Sequence, residues 1–154
     1  MIQRIQTVYL FICFLLLASM FFMPIASYLT PADQVYEQTA LTIEAYSDSA
    51  TPVSVNPFPI GILAGAIALA FLLSIFLFKK RSLQTRLVIF NMILIVGYLI
   101  MTYFYTSMIK SELEAKITYG FINISPILAL VLGFISYHRI RLDQALVKSY
   151  DRIR

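Results

Sequence analysis

A chain of 154 residues that is 60% hydrophobic, 14% aromatic and only 13% charged carries far less charge than a soluble domain, where roughly a quarter of residues are charged. Its twelve Lys and Arg against eight Asp and Glu leave a net charge of +4, which must be located along the chain before it suggests nucleic acid or any other partner. The one cysteine, Cys13, lies in an apolar run, which excludes an intrachain disulfide framework and a thiolate metal cluster.

The first apolar stretch, Val8 to Tyr28, holds no Lys, Arg, Asp or Glu. About 20 helical residues, at roughly 1.5 Å each, cover the ~30 Å hydrocarbon core of a bilayer, so a stretch of this length predicts a spanning helix. It is longer than the apolar region of a secretory signal, and Pro24-Ile25-Ala26 is a poor cleavage site, so an uncleaved first span is expected.

Thr30 to Pro57 follows as an acidic loop with Asp33, Glu37, Glu44 and Asp48 and no basic residue. Thr30-Pro31-Ala32-Asp33 reads as a helix start, Thr as N-cap and Pro at the first helical position. Val35, Thr39, Leu41 and Ile43 then alternate with Tyr36, Gln38, Thr42 and Glu44, a strand-like period. A turn at Ser47–Thr51 and a return along Pro52-Val53-Ser54-Val55 complete a small predicted β-hairpin.

The second span, Ile60–Phe78, is uncharged throughout and includes Gly61 and Gly65 in GxxxG spacing. Small residues at that spacing let backbones approach closely, and packing within one bundle is the expected use. Lys79-Lys80-Arg81 stops this helix. The third span, Leu87–Tyr105, matches the second in length and contains Asn91. After it, Ser111-Glu112-Leu113-Glu114 fits a capping box, with Glu112 and Lys116 at i,i+4, and so predicts that the fourth helix starts above the membrane. The fourth apolar stretch, Phe121–Tyr137, is the shortest and extends outward through Gly120 and Tyr119. It carries Asn123, a Ser125-Pro126 pair that predicts a kink, and Ala129 with Gly133 as a second small-xxx-small pair.

In the tail, 138–154, Leu142, Leu146, Tyr150 and Ile153 step by four, four and three, one apolar stripe of a basic amphipathic helix suited to an anionic membrane surface. The aspartates Asp143 and Asp151 do not suit that surface. They point instead to a protein contact made by Arg141, Asp143, Lys148, Asp151 and Arg152.

Charge fixes the expected orientation. Arg4, the block around Lys80, Arg86 and the tail place ten basic residues on one side of the four spans, and only Lys110 and Lys116 fall on the other. That bias places both termini in the cytoplasm. The expectation is an all-α membrane protein, one domain over 1–154, with spans near 8–28, 60–78, 87–105 and 119–137, an outer loop at 30–57 and a cytoplasmic helical tail.

Candidate chemistry is sparse. No ionisable residue lies within a span, so a proton relay or ion path has no charged member. Asn91 and Asn123 are expected to bond across helices or sit near interfaces, at opposite depths. His138, the one histidine, borders the fourth span and reads as interfacial. The outer carboxylates lack calcium-loop spacing. No nucleophile–base pair or phosphate-cradling glycine loop is present. Catalytic, cofactor and metal sites are therefore all expected to be absent, and the tail is too sparsely basic for nucleic acid.

The opening Met1-Ile2-Gln3-Arg4-Ile5-Gln6-Thr7-Val8, the middle Lys79-Lys80-Arg81-Ser82-Leu83-Gln84-Thr85-Arg86 and the ending Ile140-Arg141-Leu142-Asp143 through Asp151-Arg152-Ile153-Arg154 resemble the bacterial membrane-protein family called domain of unknown function 4293. The resemblance covers the whole chain and is most specific in the tail, where Gln144 stands in place of a Glu. It implies an inner-membrane location and a four-helix layout, and brings no activity or ligand. The function expected is a non-enzymatic structural or accessory role, with lipid and a membrane or cytoplasmic protein as partners. A small transporter or channel subunit, which would have to form a homo-oligomer, is the second expectation.

Overall fold

The structure, a computed structural model, describes residues 3–46 and 53–150. Helix α1 (Gln3–Ala18) ends in a 3-10 turn at Ser19–Phe21, and strands β1 (Ala26–Leu29), β2 (Val35–Gln38) and β3 (Ile43–Ala45) follow. Then come α2 (Phe58–Phe76), α3 (Arg81–Leu113), β4 (Lys116–Tyr119) and α4 (Ile124–Tyr150). The helices close a ring in which α1 and α3 each pack against both α2 and α4.

Three helices are long and apolar enough to cross a membrane: α2, α3 and the stretch Phe121–Asp143. Ile5–Phe21 is apolar but shorter. Burial sorts the side chains in an order unlike that of a water-soluble bundle. The inward stripe of α3 contains Gln84, Thr85, Asn91, Tyr98, Thr102 and Thr106, whereas Phe90, Ile93, Ile100 and Phe104 face outward. The same belt of exposed apolar side chains continues over Phe11 and Leu15, Ile62 and Leu69, and Leu128, Val131 and Phe134. Contiguous apolar surface on that scale is unstable against water and suited to lipid.

The chain is mostly helical, yet it is not all-α. At one end of the bundle sits a four-stranded antiparallel sheet in the order β3-β2-β1-β4. The hairpin expected between the run Val35–Glu44 and the return at Val53–Val55 is not the one formed: β2 and β3 both lie within that first run and pair with each other, turning at Thr39–Thr42, where Thr39 Oγ1 accepts from the Thr42 N–H at 3.0 Å. The turn expected at Ser47–Thr51 lies outside the described residues. Val53 and Val55 form no strand and pack instead into the sheet's apolar core.

β1 and β4 correct two sequence expectations. The apolar run that begins at Val8 leaves the helix before Pro24, and its last residues become β1, with Ala26 and Tyr28 buried on the inner face. Proline lacks the N–H that would continue the ladder. Ile25 instead donates to Gln38 O at 2.7 Å and accepts from the Gly120 N–H at 2.9 Å. Thr30–Asp33 is no helix start: it turns β1 into β2, with Thr30 Oγ1 accepting from the Gln34 N–H at 3.1 Å and Asp33 at φ 58. A threonine side chain makes the same local bond in an N-cap and in a turn.

The capping box at Ser111–Glu114 is likewise a helix end. Glu114 takes φ 47, and the Ala115 N–H reaches Lys110 O at 3.2 Å, the six-to-one bond that closes a helix through a left-handed residue. Lys116 then lies on β4 and not one helical turn beyond Glu112. At roughly 50 Å for its 33 residues, α3 outreaches a ~30 Å bilayer core. Its far end places Ile109 beneath Tyr28 and Tyr36 in the sheet core, a burial of about 2 kcal/mol. Pro126 falls in the first turn of α4, where no helical bond needs its N–H, so it marks a start and not a kink.

Candidate functional site at the basic end of the bundle

The opposite end holds Lys80, Arg81, Arg86, Arg139 and Arg141. α4 runs unbroken over 27 residues, so the tail continues the apolar helix instead of lying as a separate surface helix. That continuity fixes which side of the tail turns inward. Ala129, Gly133, Ser136, Ile140 and Asp143 share the buried stripe, while Leu142 is exposed. The apolar stripe expected from Leu142 onward therefore starts on the outward side.

Asp143 is 8% exposed and accepts from Gln6 Nε2 at 2.9 Å, joining residues 137 positions apart. Gln6, itself 6% exposed, heads the buried stripe of α1 that continues through Leu10, Cys13, Leu17 and Met20. Arg81 Nη1 donates to the Asp143 carbonyl at 3.3 Å, and Gln84 Nε2 to Ser74 O at 3.0 Å. All four helices are thus tied at this end by neutral or charge-assisted bonds.

Of the five residues expected to meet a partner, the structure turns Asp143 into the bundle and leaves Arg141 exposed, its guanidinium carbon 5.9 Å from the Tyr137 ring centroid. Lys148 stands on the last turns of α4, and Asp151 and Arg152 lie outside the described residues. His138 is exposed beside Arg139 and Leu142 on an open cleft of about 410 Å³ with Phe134 and Ile135. It faces away from the buried Asp143, so the two form no acid–base pair. Among the described residues no group of three His, Cys, Asp or Glu could hold a metal ion.

Gln6, Gln84 and Ser74 had no role assigned from the sequence, and Arg81 only that of a helix stop. The available signal was position: each is polar on a helix whose other face is apolar, at the spacing of the buried stripe. Cys13 is enclosed and its Sγ lies 3.4 Å from Ala129 O, a packing role. The first small pair admits chain segments other than spanning helices, whereas Gly133 meets Met92 on α3 and Phe71 on α2. Gly61 lies against the Ala40–Leu41 turn and Gly65 against Phe21.

The two asparagines part ways. Asn123 Nδ2 donates to Ile25 O at 2.6 Å and to Gly120 O at 3.0 Å, tying β1 to the start of α4. Asn91 is fully enclosed, and neither of its amide atoms has a protein partner. At the sheet end, the Tyr46 hydroxyl donates to Glu37 Oε2 at 3.0 Å, and that bond with the nearby carboxylate raises its pKa. Glu112 accepts from the Ser54 N–H at 2.8 Å, and that bond holds its carboxyl below the usual glutamate value.

Residues 2–153 match the family described as Domain of unknown function (DUF4293). No match was found among curated proteins.

Proposed function

The chain belongs to the DUF4293 family, and on that premise we propose an integral protein of a bacterial inner membrane with four spans and both termini cytoplasmic. Its role on this reading is non-enzymatic: the basic end engages a protein partner. The span added to the three long apolar helices is the first, α1 with its 3-10 turn, about 30 Å at ordinary helical rises. Ten basic residues in alternate segments of the sequence against two in the others support the orientation.

The observation that carries the docking role is the held tail. α4 passes the apolar belt without a break, and Gln6 and Arg81 clamp it at Asp143. Arg139, Arg141 and Leu142 are left outward on a rigid support. A surface fixed before contact costs less ordering on association than a mobile arm. Arg141 with Lys148, Asp151 and Arg152 supplies the mixed charge that selects a protein over a lipid surface.

A photocrosslinking residue placed at Arg152 in cells tests this. A discrete protein adduct that Arg141→Glu abolishes is expected, and capture of lipid alone would end the proposal. Orientation is tested separately in a Cys13→Ser background. A membrane-impermeant maleimide should label Glu37→Cys, and not Arg141→Cys, from the periplasmic side.

The second reading, a small transporter or channel subunit, draws on the enclosed polar stripe of α3. With no charged side chain in the apolar spans, one chain lines no ion path, so this reading requires an oligomer. A monomeric particle in mild detergent, with no flux in liposomes, rules it out.

A further inference from the structure

Phe134, Ile135, His138, Arg139 and Leu142 line one open cleft of about 410 Å³ on α4, within the roughly 300–1,000 Å³ of small-ligand sites. Their spacing puts them on one face of the helix. Phe134 and Ile135 lie one turn, about 5.4 Å, deeper into the apolar belt than His138 and Arg139. Beyond Phe134 that belt runs on through exposed Val131 and Leu128. The cleft is therefore apolar where it meets the belt and basic one turn above, with Leu142 at its far end.

No carboxylate lines the cleft. Asp143, one turn on from Arg139, is turned into the bundle and held by Gln6. Arg141 is drawn over the Tyr137 ring and lies outside the lining. The positive charge of the cleft thus has no acidic neighbour within it. A guanidinium presents a planar fork of donors that matches a phosphate, and an imidazole adds a ring N–H. A matching ligand is anionic at one end and apolar at the other. A water-soluble protein could meet the basic half, but Phe134 and Ile135 belong to the lipid-facing belt.

We propose that this cleft holds one anionic phospholipid from the leaflet at the basic end of the bundle. Its phosphate sits on Arg139 and His138, and an acyl chain runs along Phe134 and Ile135. The proposal rests on the reading of the chain as an integral membrane protein, and not on the docking of a protein partner. It differs from the diffuse attraction of basic residues to an anionic surface, because one lipid is held by particular side chains. Arg86 gives the contrast. Arg81 reaches the Asp143 carbonyl and Gly133 faces Met92, so antiparallel α3 brings exposed Arg86 to about the level of Arg139, outside the cleft.

Native mass spectrometry of the full chain in mild detergent tests this, with phosphatidylglycerol or zwitterionic phosphatidylethanolamine of the same acyl chains added in steps. One phosphatidylglycerol should be retained at a severalfold lower concentration than phosphatidylethanolamine. Arg139→Gln should erase that preference, whereas Arg86→Gln, an equal loss of charge at the same level, should leave it intact. Phe134→Ala should weaken phosphatidylglycerol retention severalfold, which a site for free phosphate would not show. Equal retention of the two lipids by a chain that still fractionates with membranes overturns the lipid site and leaves the membrane reading standing. Equal losses in Arg139→Gln and Arg86→Gln reduce the effect to diffuse charge and overturn the site as well. So does retention unchanged by Phe134→Ala.

Discussion

Replacing Asp143 with alanine should loosen the basic end of the bundle even though the residue lies in what reads as a tail. The bond from Gln6 Nε2 at 2.9 Å ends on a carboxylate, and both residues are more than nine-tenths buried. A hydrogen bond to a charged group contributes about 1.5–3 kcal/mol, and its loss leaves the Gln6 amide enclosed without an acceptor. Gln6 lies near the end of α1 and can regain water, so about 2 kcal/mol is the expected cost. For a chain of this size each kcal/mol shifts the midpoint by roughly 2–4 °C, so thermal unfolding followed by circular dichroism in one detergent should fall by about 4–8 °C. Arg139→Ala, at an exposed neighbour, should stay within about 0.5 kcal/mol of the parent. A double-mutant cycle with Gln6→Ala isolates the pair, with an expected coupling of about 1–2 kcal/mol. Additive single effects, or an Asp143→Ala midpoint indistinguishable from that of Arg139→Ala, would refute the clamp and return Asp143 to the docking surface.

Gly61→Ala should destabilise by about 1–3 kcal/mol, because its Cβ would meet Leu41 and stand 2.7 Å from the Ala40 carbonyl oxygen; an unchanged melting midpoint would show that the turn moves freely. Gly120→Ala sets a Cβ against the Pro24 carbonyl oxygen, so it should part β4 from β1 and speed proteolysis of the sheet end relative to Gly65→Ala. The pH dependence of the Glu112 tie follows from its lowered pKa, caused chiefly by the Ser54 backbone N–H. The folded state holds that proton less tightly than the unfolded state. The tie is therefore fully present above the ordinary glutamate value of about 4.3, and is lost as pH falls through the lower folded value. Protection of the Ser54 amide from exchange should fade across that acid range and lose its pH dependence in Glu112→Gln; acid-independent protection in the parent would count against it.

The elements legible in the sequence share a physical basis in composition. An uncharged run long enough to cross a bilayer has one favourable conformation in an apolar medium, the helix that bonds its own backbone. So α2 and the middle of α3 stand where their apolar residues placed them. Basic residues gathered in alternate segments likewise set an expected orientation, on which the proposed topology rests, without reference to contacts. The errors cluster where local chemistry has two solutions. Thr30 bonds two or more residues ahead in a turn as readily as in a helix cap. Ser111 to Glu114 matches a capping box although the helix is ending. The apolar residues from Ile25 to Tyr28 serve a buried sheet face as well as they would serve a span. In each case the deciding partner is distant: β4 beside β1, or Ile109 beneath Tyr36.

The site shows the same division more sharply. From the charges alone, Asp143 stood out because it did not suit a lipid surface, and Asn91 because it was polar within a span. What each does depends on facing residues that no local window contains. Gln6 meets Asp143 across 137 positions, and Asn91 is enclosed only through the packing of α3 among the other helices. By itself the sequence determined that this chain is built for an apolar medium, with most of its basic residues gathered in alternate segments, because hydropathy and charge act residue by residue. Only the tertiary structure decided which polar groups are enclosed and which are partnered, because enclosure is a property of two surfaces brought together.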